Sequence, residues 1–305
     1  MRAPARSVIG AALFVATLAA AQTKHQHGPT SGSRGPSIAG SGPGSAGGPA
    51  GGGGTSGPPA PSWAPSMAAA WMLDETSGTR VNALGNTARD LSLIDGTDPT
   101  SSTDHMEGTR AMSVTASQGR HTSDTTWADL LSPVSVGGWF KVSAAGKPVM
   151  HQWDAAAGTF QLIFGGNNNW QFEVWDSTAA THTAQMAFFS ANTGVWYHVV
   201  GTMSSGASVT LYVNGVQTAQ TTMATATTRA RPVDVGENAS YAGLIDEVFV
   251  TNLLLSPVAI CRICSCGLRG EQCSCSGAAY TSSGRNATAC GSCTLPADCS
   301  AATPP

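Results

Sequence analysis

SVTLYVNGVQTAQTT, residues 208–222, decides the fold. Val209, Leu211 and Val213 alternate with Thr210 and Tyr212, which is the two-residue period of a strand with one apolar face. The run then meets Asn214-Gly215. That pair tolerates positive φ at both central positions of a turn, so it predicts a tight type I′ connection to a second strand. The same period recurs outward from this hairpin. In VSVGGWFKV, residues 134–142, Val134, Val136, Phe140 and Val142 share one face, and Ser135, Trp139 and Lys141 the other. Phe160, Leu162 and Phe164 make one further apolar set, and Trp170, Phe172 and Val174 another. Each strand is expected to bury one side. Gly, Asn, Asp and Ser clusters separate the runs and helix-period segments are nearly absent, so the segment reads as an all-β, two-sheet antiparallel sandwich over residues 67–259.

The flanks differ in kind from this middle. Arg2 and Arg6 lead into the apolar run Val8–Ala21, which closes on three alanines before Gln22, the order of a cleavable signal peptide over residues 1–21. Export is therefore expected, to a secreted or cell-surface location. No later stretch reaches the roughly 20 apolar residues that a spanning helix needs. Residues 22–66 are Gly, Pro, Ser and Ala with almost nothing branched or aromatic. Such a composition cannot bury enough apolar surface to offset ordering entropy, and it reads as a disordered linker in which His25 and His27 have no role. Charged residues are 11% of the chain and the formal net charge is -3. No basic stripe exists to hold a phosphate backbone, so nucleic acid is not an expected partner.

All eight cysteines, Cys261, Cys264, Cys266, Cys273, Cys275, Cys290, Cys293 and Cys299, fall in the final segment, residues 260–305. A piece so short has little core of its own, and in an exported chain disulfides are the better reading of its two C-x2-C pairs than zinc. Ser256–Cys264 is expected to form a short helix leaving the sandwich, with Pro257 in its first turn.

Four segments in order resemble the laminin-G-like jelly-roll domains of the concanavalin A-like superfamily, in their bacterial secreted form. They are AAWMLDETSGT (69–79), VSVGGWFKV (134–142), GVWYHVVGTM with the hairpin SVTLYVNGV (194–203 and 208–216), and GLIDEVFVTNLLLSPVAI (243–260). The resemblance implies a non-catalytic binding module whose partner is a glycan or an extracellular or surface protein. It also implies calcium near the sheet rim, for which Asp74, Asn86 and Asp246 are the candidate positions. Fold alone does not fix function.

Some sandwiches of this kind are glycoside hydrolases, which need two carboxyl groups at reacting distance. None of the 18 Asp and Glu positions are separated by two or four residues, the spacings that place a pair on one face of one strand. Neither a G-x-S-x-G turn nor an H-x-x-x-H spacing is present. A divergent hydrolase is thus the remote alternative, and an adhesion module without sugar binding the nearer one. If Trp170, Phe172 and Val174 face the core, Gln171, Glu173 and Trp175 face outward together. An indole beside an amide and a carboxylate is a chemistry that stacks on a sugar ring and bonds its hydroxyls, so these three are the candidate glycan residues. His198, on the Trp196 and Val200 face, reads as a core or edge residue.

Overall fold

The structure, a computed structural model, describes residues 67–93, 97–115, 118–127, 133–153, 158–226, 230–236 and 241–268, and the backbone of 273–276 and 279–282. The expected leader and linker lie outside the described residues, as do Cys290, Cys293 and Cys299. Cys266, Cys273 and Cys275 are described in backbone only.

In chain order the strands are β1 (Met67–Trp71), β2 (Leu91–Leu93), β3 (Thr100–Ser102), β4 (Ala111–Val114), β5 (Arg120–Thr122), β6 (Val134–Val142), β7 (Lys147–Trp153) and β8 (Gly158–Gly165). They continue as β9 (Asn169–Trp175), β10 (Thr181–Gln185), β11 (Trp196–Ser204), β12 (Ser208–Val213), β13 (Val216–Thr222), β14 (Asp234–Val235) and β15 (Gly243–Thr251). A helix α1 (Pro257–Cys266) and a hairpin of β16 (Cys273–Ser276) with β17 (Ala279–Ser282) follow. Among the described residues one antiparallel sheet has eight strands in the order β13-β12-β11-β6-β15-β4-β3, with β1 also pairing with β15. The other has seven, β10-β9-β8-β7-β14-β5-β2. The two form a jelly-roll sandwich, as the alternation requires.

Between the sheets, Val136, Phe140, Val199, Leu211 and Ile245 of the eight-stranded sheet meet Phe160, Leu162, Phe164, Trp170 and Phe172 of the seven-stranded one, all fully buried in one cluster. Phe140 and Phe164 both pack on the Trp170 ring, at centroid distances of 5.9 and 5.0 Å. Each such side chain contributes about 1.5–3 kcal/mol by leaving water. The hairpin from which the fold was read closes as expected. Val213 pairs with Val216, and Asn214 and Gly215 take φ of 51° and 78°.

One close approach sets the spacing of the layers. A Cβ on Gly201 of β11 would lie 2.3 Å from the ring of Phe172, which is itself fully buried. Gly201→Ala is therefore expected to cost about 1–3 kcal/mol through overpacking. Denaturant unfolding measures this, and an unchanged midpoint would mean that the ring has room to retreat.

The expectation that each strand buries one side fails for β6, β11 and β15. Ser135, Trp139, His198, Val200, Asp246 and Phe249 point away from the sandwich core and are nonetheless at most 1% exposed. Val200 and Phe249 are covered by α1, whose Ile260 and Ile263, with the following Leu268, pack on them and on Ala70, Met72 and Tyr212, while Ser135 is bonded to Leu253 and Leu255 and Asp246 to Met106 and Glu107. Cys264 and Met106 close over Trp139. Local chemistry builds the helix where the sequence placed it. The Ser256 side chain accepts the Ala259 N–H at 3.2 Å, Pro257 opens the first turn, and Gly267 ends it at φ 69°. The helix does not leave the sandwich, however, and the expected boundary between residues 259 and 260 falls inside it. Cys261 and Cys264 are both disulfide-bonded. Among the described residues no helix is long and apolar enough to cross a membrane.

Candidate functional site

Opposite the helix-covered sheet, the outer face of the seven-stranded sheet carries a polar row set by strand register. His151, Gln161, Glu173 and Thr183 lie directly across from one another on β7, β8, β9 and β10. Glu173 accepts hydrogen bonds from the Gln161 amide and from Thr183 Oγ1, the latter at 3.4 Å. One row along, Gln171 stands between Ile163 and Gln185, its amide donating to Asn169 Oδ1 at 3.3 Å. Asp176 fixes the β9–β10 turn beside this patch. Its Oδ1 accepts from the Thr178 and Ala180 N–H groups at 2.8 and 3.0 Å, and its Oδ2 lies 2.9 Å from His182 Nε2. The His182 ring and these donors hold its carboxyl well below the usual carboxylate range.

The structure thus brings Gln171, Glu173 and Trp175 onto one outward face, with Gln171 and Glu173 half-buried. Trp175 is only 7% exposed because it lies against Trp153, with ring centroids 6.4 Å apart and planes 23° apart. The half-buried indole on this face is Trp153, which also meets His151 edge-on at 6.2 Å. Sequence reasoning missed it. His151 and Trp153 do share a parity in KPVMHQW, but β7 shifts register between Pro148 and Met150 and again between Gln152 and Trp153. Those bulges hide the alternation.

Among the described residues, two carboxylate groupings lie on the faces of the sheets, and their spacing and bonding differ from what glycosyl transfer needs. On the outer face, Asp234 of β14 sits beside His151 and so lies three strands from Glu173. Three spacings are about 14 Å, against roughly 5–5.5 Å for retaining and 6.5–9.5 Å for inverting chemistry. The second group is Asp246, Glu247 and Glu107, which are 0, 1 and 2% exposed under α1. They act as clasps. Asp246 Oδ2 accepts the N–H groups of Met106 and Glu107 at 2.8 and 2.9 Å, and Glu247 Oε2 accepts that of Leu268 at 2.8 Å. Burial, with Glu247 and Glu107 adding like charge, pushes the Asp246 carboxyl well above its usual range. On the other side of Trp139, 5.1 Å away between ring centroids, burial pushes the His198 imidazole down to about 3.

Two of the three calcium candidates meet on one loop. Asp74 Oδ1 accepts the Thr109 and Arg110 N–H groups at 2.6 and 2.9 Å, while Asp246 grips the same β3–β4 loop at residues 106 and 107. Asn86 instead caps the 3-10 turn Thr87–Arg89 through the Ala88 N–H. Their oxygens serve backbone amides. Among the described residues no group of three or more His, Cys, Asp or Glu side chains is placed to hold a metal ion.

Comparison with known proteins agrees with this architecture. Residues 114–261 match the family model described as the concanavalin A-like lectin/glucanases superfamily, of laminin G type. The solved receptor binding domain of botulinum neurotoxin mosaic serotype C/D, in a structure with tetraethylene glycol and sulfate, is similar at TM-score 0.51 and 13% identity. That alignment covers 64% of this chain and 49% of that one. A second solved structure, the receptor binding domain of botulinum neurotoxin C/D mosaic serotype, gives TM-score 0.50 at 13% identity, over 63% of this chain and 49% of the other. The chain therefore spans about half the length of the solved structures it resembles, and at this identity the likeness is one of fold. No curated protein matches the sequence.

Proposed function

From the premise that residues 114–261 form a domain of the concanavalin A-like lectin/glucanase superfamily, we propose that this chain is a non-catalytic, extracellular binding module that takes a carbohydrate on the outer face of its seven-stranded sheet. The observation that carries the proposal is the juxtaposition of Gln161, Gln171, Glu173 and Thr183 with the Trp153–Trp175 pair. Amides, a hydroxyl and a carboxylate offer both donors and acceptors to sugar hydroxyls, and a half-buried indole offers an apolar face to the ring. The wide separation of Glu173 from Asp234 supports recognition without hydrolysis. The similar solved domains are receptor binding domains by their titles, which supports a recognition role in general terms.

A glycan array followed by calorimetry on the best hit tests this. Trp153→Ala is expected to weaken binding about tenfold, and Glu173→Gln and Gln171→Ala to weaken it measurably with unchanged unfolding midpoints. Trp175→Ala should also weaken it, but its burial means that it lowers stability as well. Failure of the wild type to retain any glycan, or equal affinity in all four variants, would overturn the reading and leave adhesion to a protein surface in its place.

A further inference from the structure

The end of the sandwich beyond β10 carries an exposure that folding does not explain. Phe188 and Phe189 are 56% and 75% exposed, and Val195, later on the same loop, is 45% exposed. The loop is held firmly. Phe189 donates its N–H to Asn167 O at 2.7 Å, Ala191 donates to Asn168 O at 3.0 Å, and the Ser190 hydroxyl donates to Ala187 O. Phe189 sits at φ 56° and Asn168 at φ 50°. Left-handed backbone is a strained conformation for a bulky aromatic residue, and such strain persists only where the surroundings impose it. Strain and apolar exposure at one fixed tip point to contact with something outside the chain.

The surroundings decide what kind of contact. The segments 143–146, 166–168 and 186–195 converge here, with Gly146 donating to Phe164 O and Gly194 to Val142 O, both at 2.7 Å. Together they contain no Asp or Glu in a chain of net charge -3, and Lys147 directly follows the first of them. The tip can therefore approach an anionic surface without repulsion. Three apolar side chains on loops fall far short of the roughly 1,200–2,000 Å² that a specific protein interface buries. A lipid surface makes no such demand, because each aromatic side chain entering the boundary between headgroups and acyl chains contributes on its own. We propose that Phe188 and Phe189 insert into the interfacial zone of a lipid bilayer and dock this end of the sandwich on it reversibly.

Cosedimentation of the full chain with vesicles of phosphatidylcholine, alone or with phosphatidylserine, tests the proposal. The wild type is expected to pellet with both. The double variant Phe188→Ser/Phe189→Ser should partition about a hundredfold less at an unchanged unfolding midpoint. Phe189→Gly separates docking from folding, since glycine relieves the left-handed backbone: vesicle binding should fall about tenfold while the midpoint does not drop. Glu173→Gln should pellet like the wild type, so this proposal and the glycan reading fail independently. Three results would overturn it: a wild type that stays in the supernatant with both vesicles, a double variant that pellets normally, or a concentration-dependent dimer that the serines abolish without lipid.

Discussion

Asp246→Ala is expected to lower the unfolding free energy by about 2–5 kcal/mol, whereas Asp246→Asn should raise it at neutral pH. The alanine leaves two buried N–H groups, of Met106 and Glu107, without their acceptor, and each such loss costs about 1–3 kcal/mol. Asparagine keeps an acceptor oxygen in the same place and removes a carboxylate that is fully buried beside Glu247 and Glu107. An ionised carboxylate buried beside two other carboxyl groups is costly there even with two N–H groups bonded to it. Because folding raises the Asp246 pKa, the folded chain holds a proton that the unfolded chain has released once pH exceeds the ordinary carboxylate range. Stability contributed by this group is thus highest in acid and falls as pH rises toward the folded pKa. Urea unfolding of the three proteins at pH 7 decides the matter. Asparagine and alanine variants equally destabilised would show that the charge itself holds the loop.

His198 carries the opposite slope, and Asp246→Asn should reveal it. Burial depresses its folded pKa to about 3, while the unfolded imidazole titrates near 6.5. Below about pH 6.5 the unfolded chain takes up a proton that the folded chain refuses, so stability is lost progressively down to the folded value. Between pH 6.5 and 4.5 this amounts to about 3 kcal/mol. In the wild type the Asp246 contribution runs the other way across the same window and partly masks it. The Asp246→Asn chain should therefore lose stability steeply on acidification, and adding His198→Phe should flatten the profile again. A shallow curve in Asp246→Asn alone would remove His198 as the source.

The inward residues were legible from sequence wherever alternation ran unbroken. Phe160, Leu162, Phe164, Trp170, Phe172 and Val174 are all fully buried, and the Asn-Gly turn has the backbone that its chemistry demands. For the same reason Gln171 and Glu173 lie half-buried on the outer face of β9. What period-two reading cannot register is a second layer laid over a sheet from a distant part of the chain. Trp139 shares a face with Lys141, so it looks solvent-facing until α1 is folded back over it. Buried cations were equally silent. Arg89 is 7% exposed, bonded to Asp124 at 2.9 Å and lying 4.3 Å from the Trp127 ring centroid, and all three come from irregular segments with no period to read.

The position of β1 has a consequence for how quickly the molecule assembles. Among the described residues its partner strand is β15, Trp71 lying across from Val248, so the first of the described strands has only a local bridge to Asn82 until almost the whole segment exists. Contacts this distant in sequence require the loop-closure entropy to be met before they return any stabilisation, which places such topologies among the slower folders. Until that late union, a strand edge and the apolar surface destined for α1 both stand open, and the interval before they close is when aggregation competes most strongly with folding.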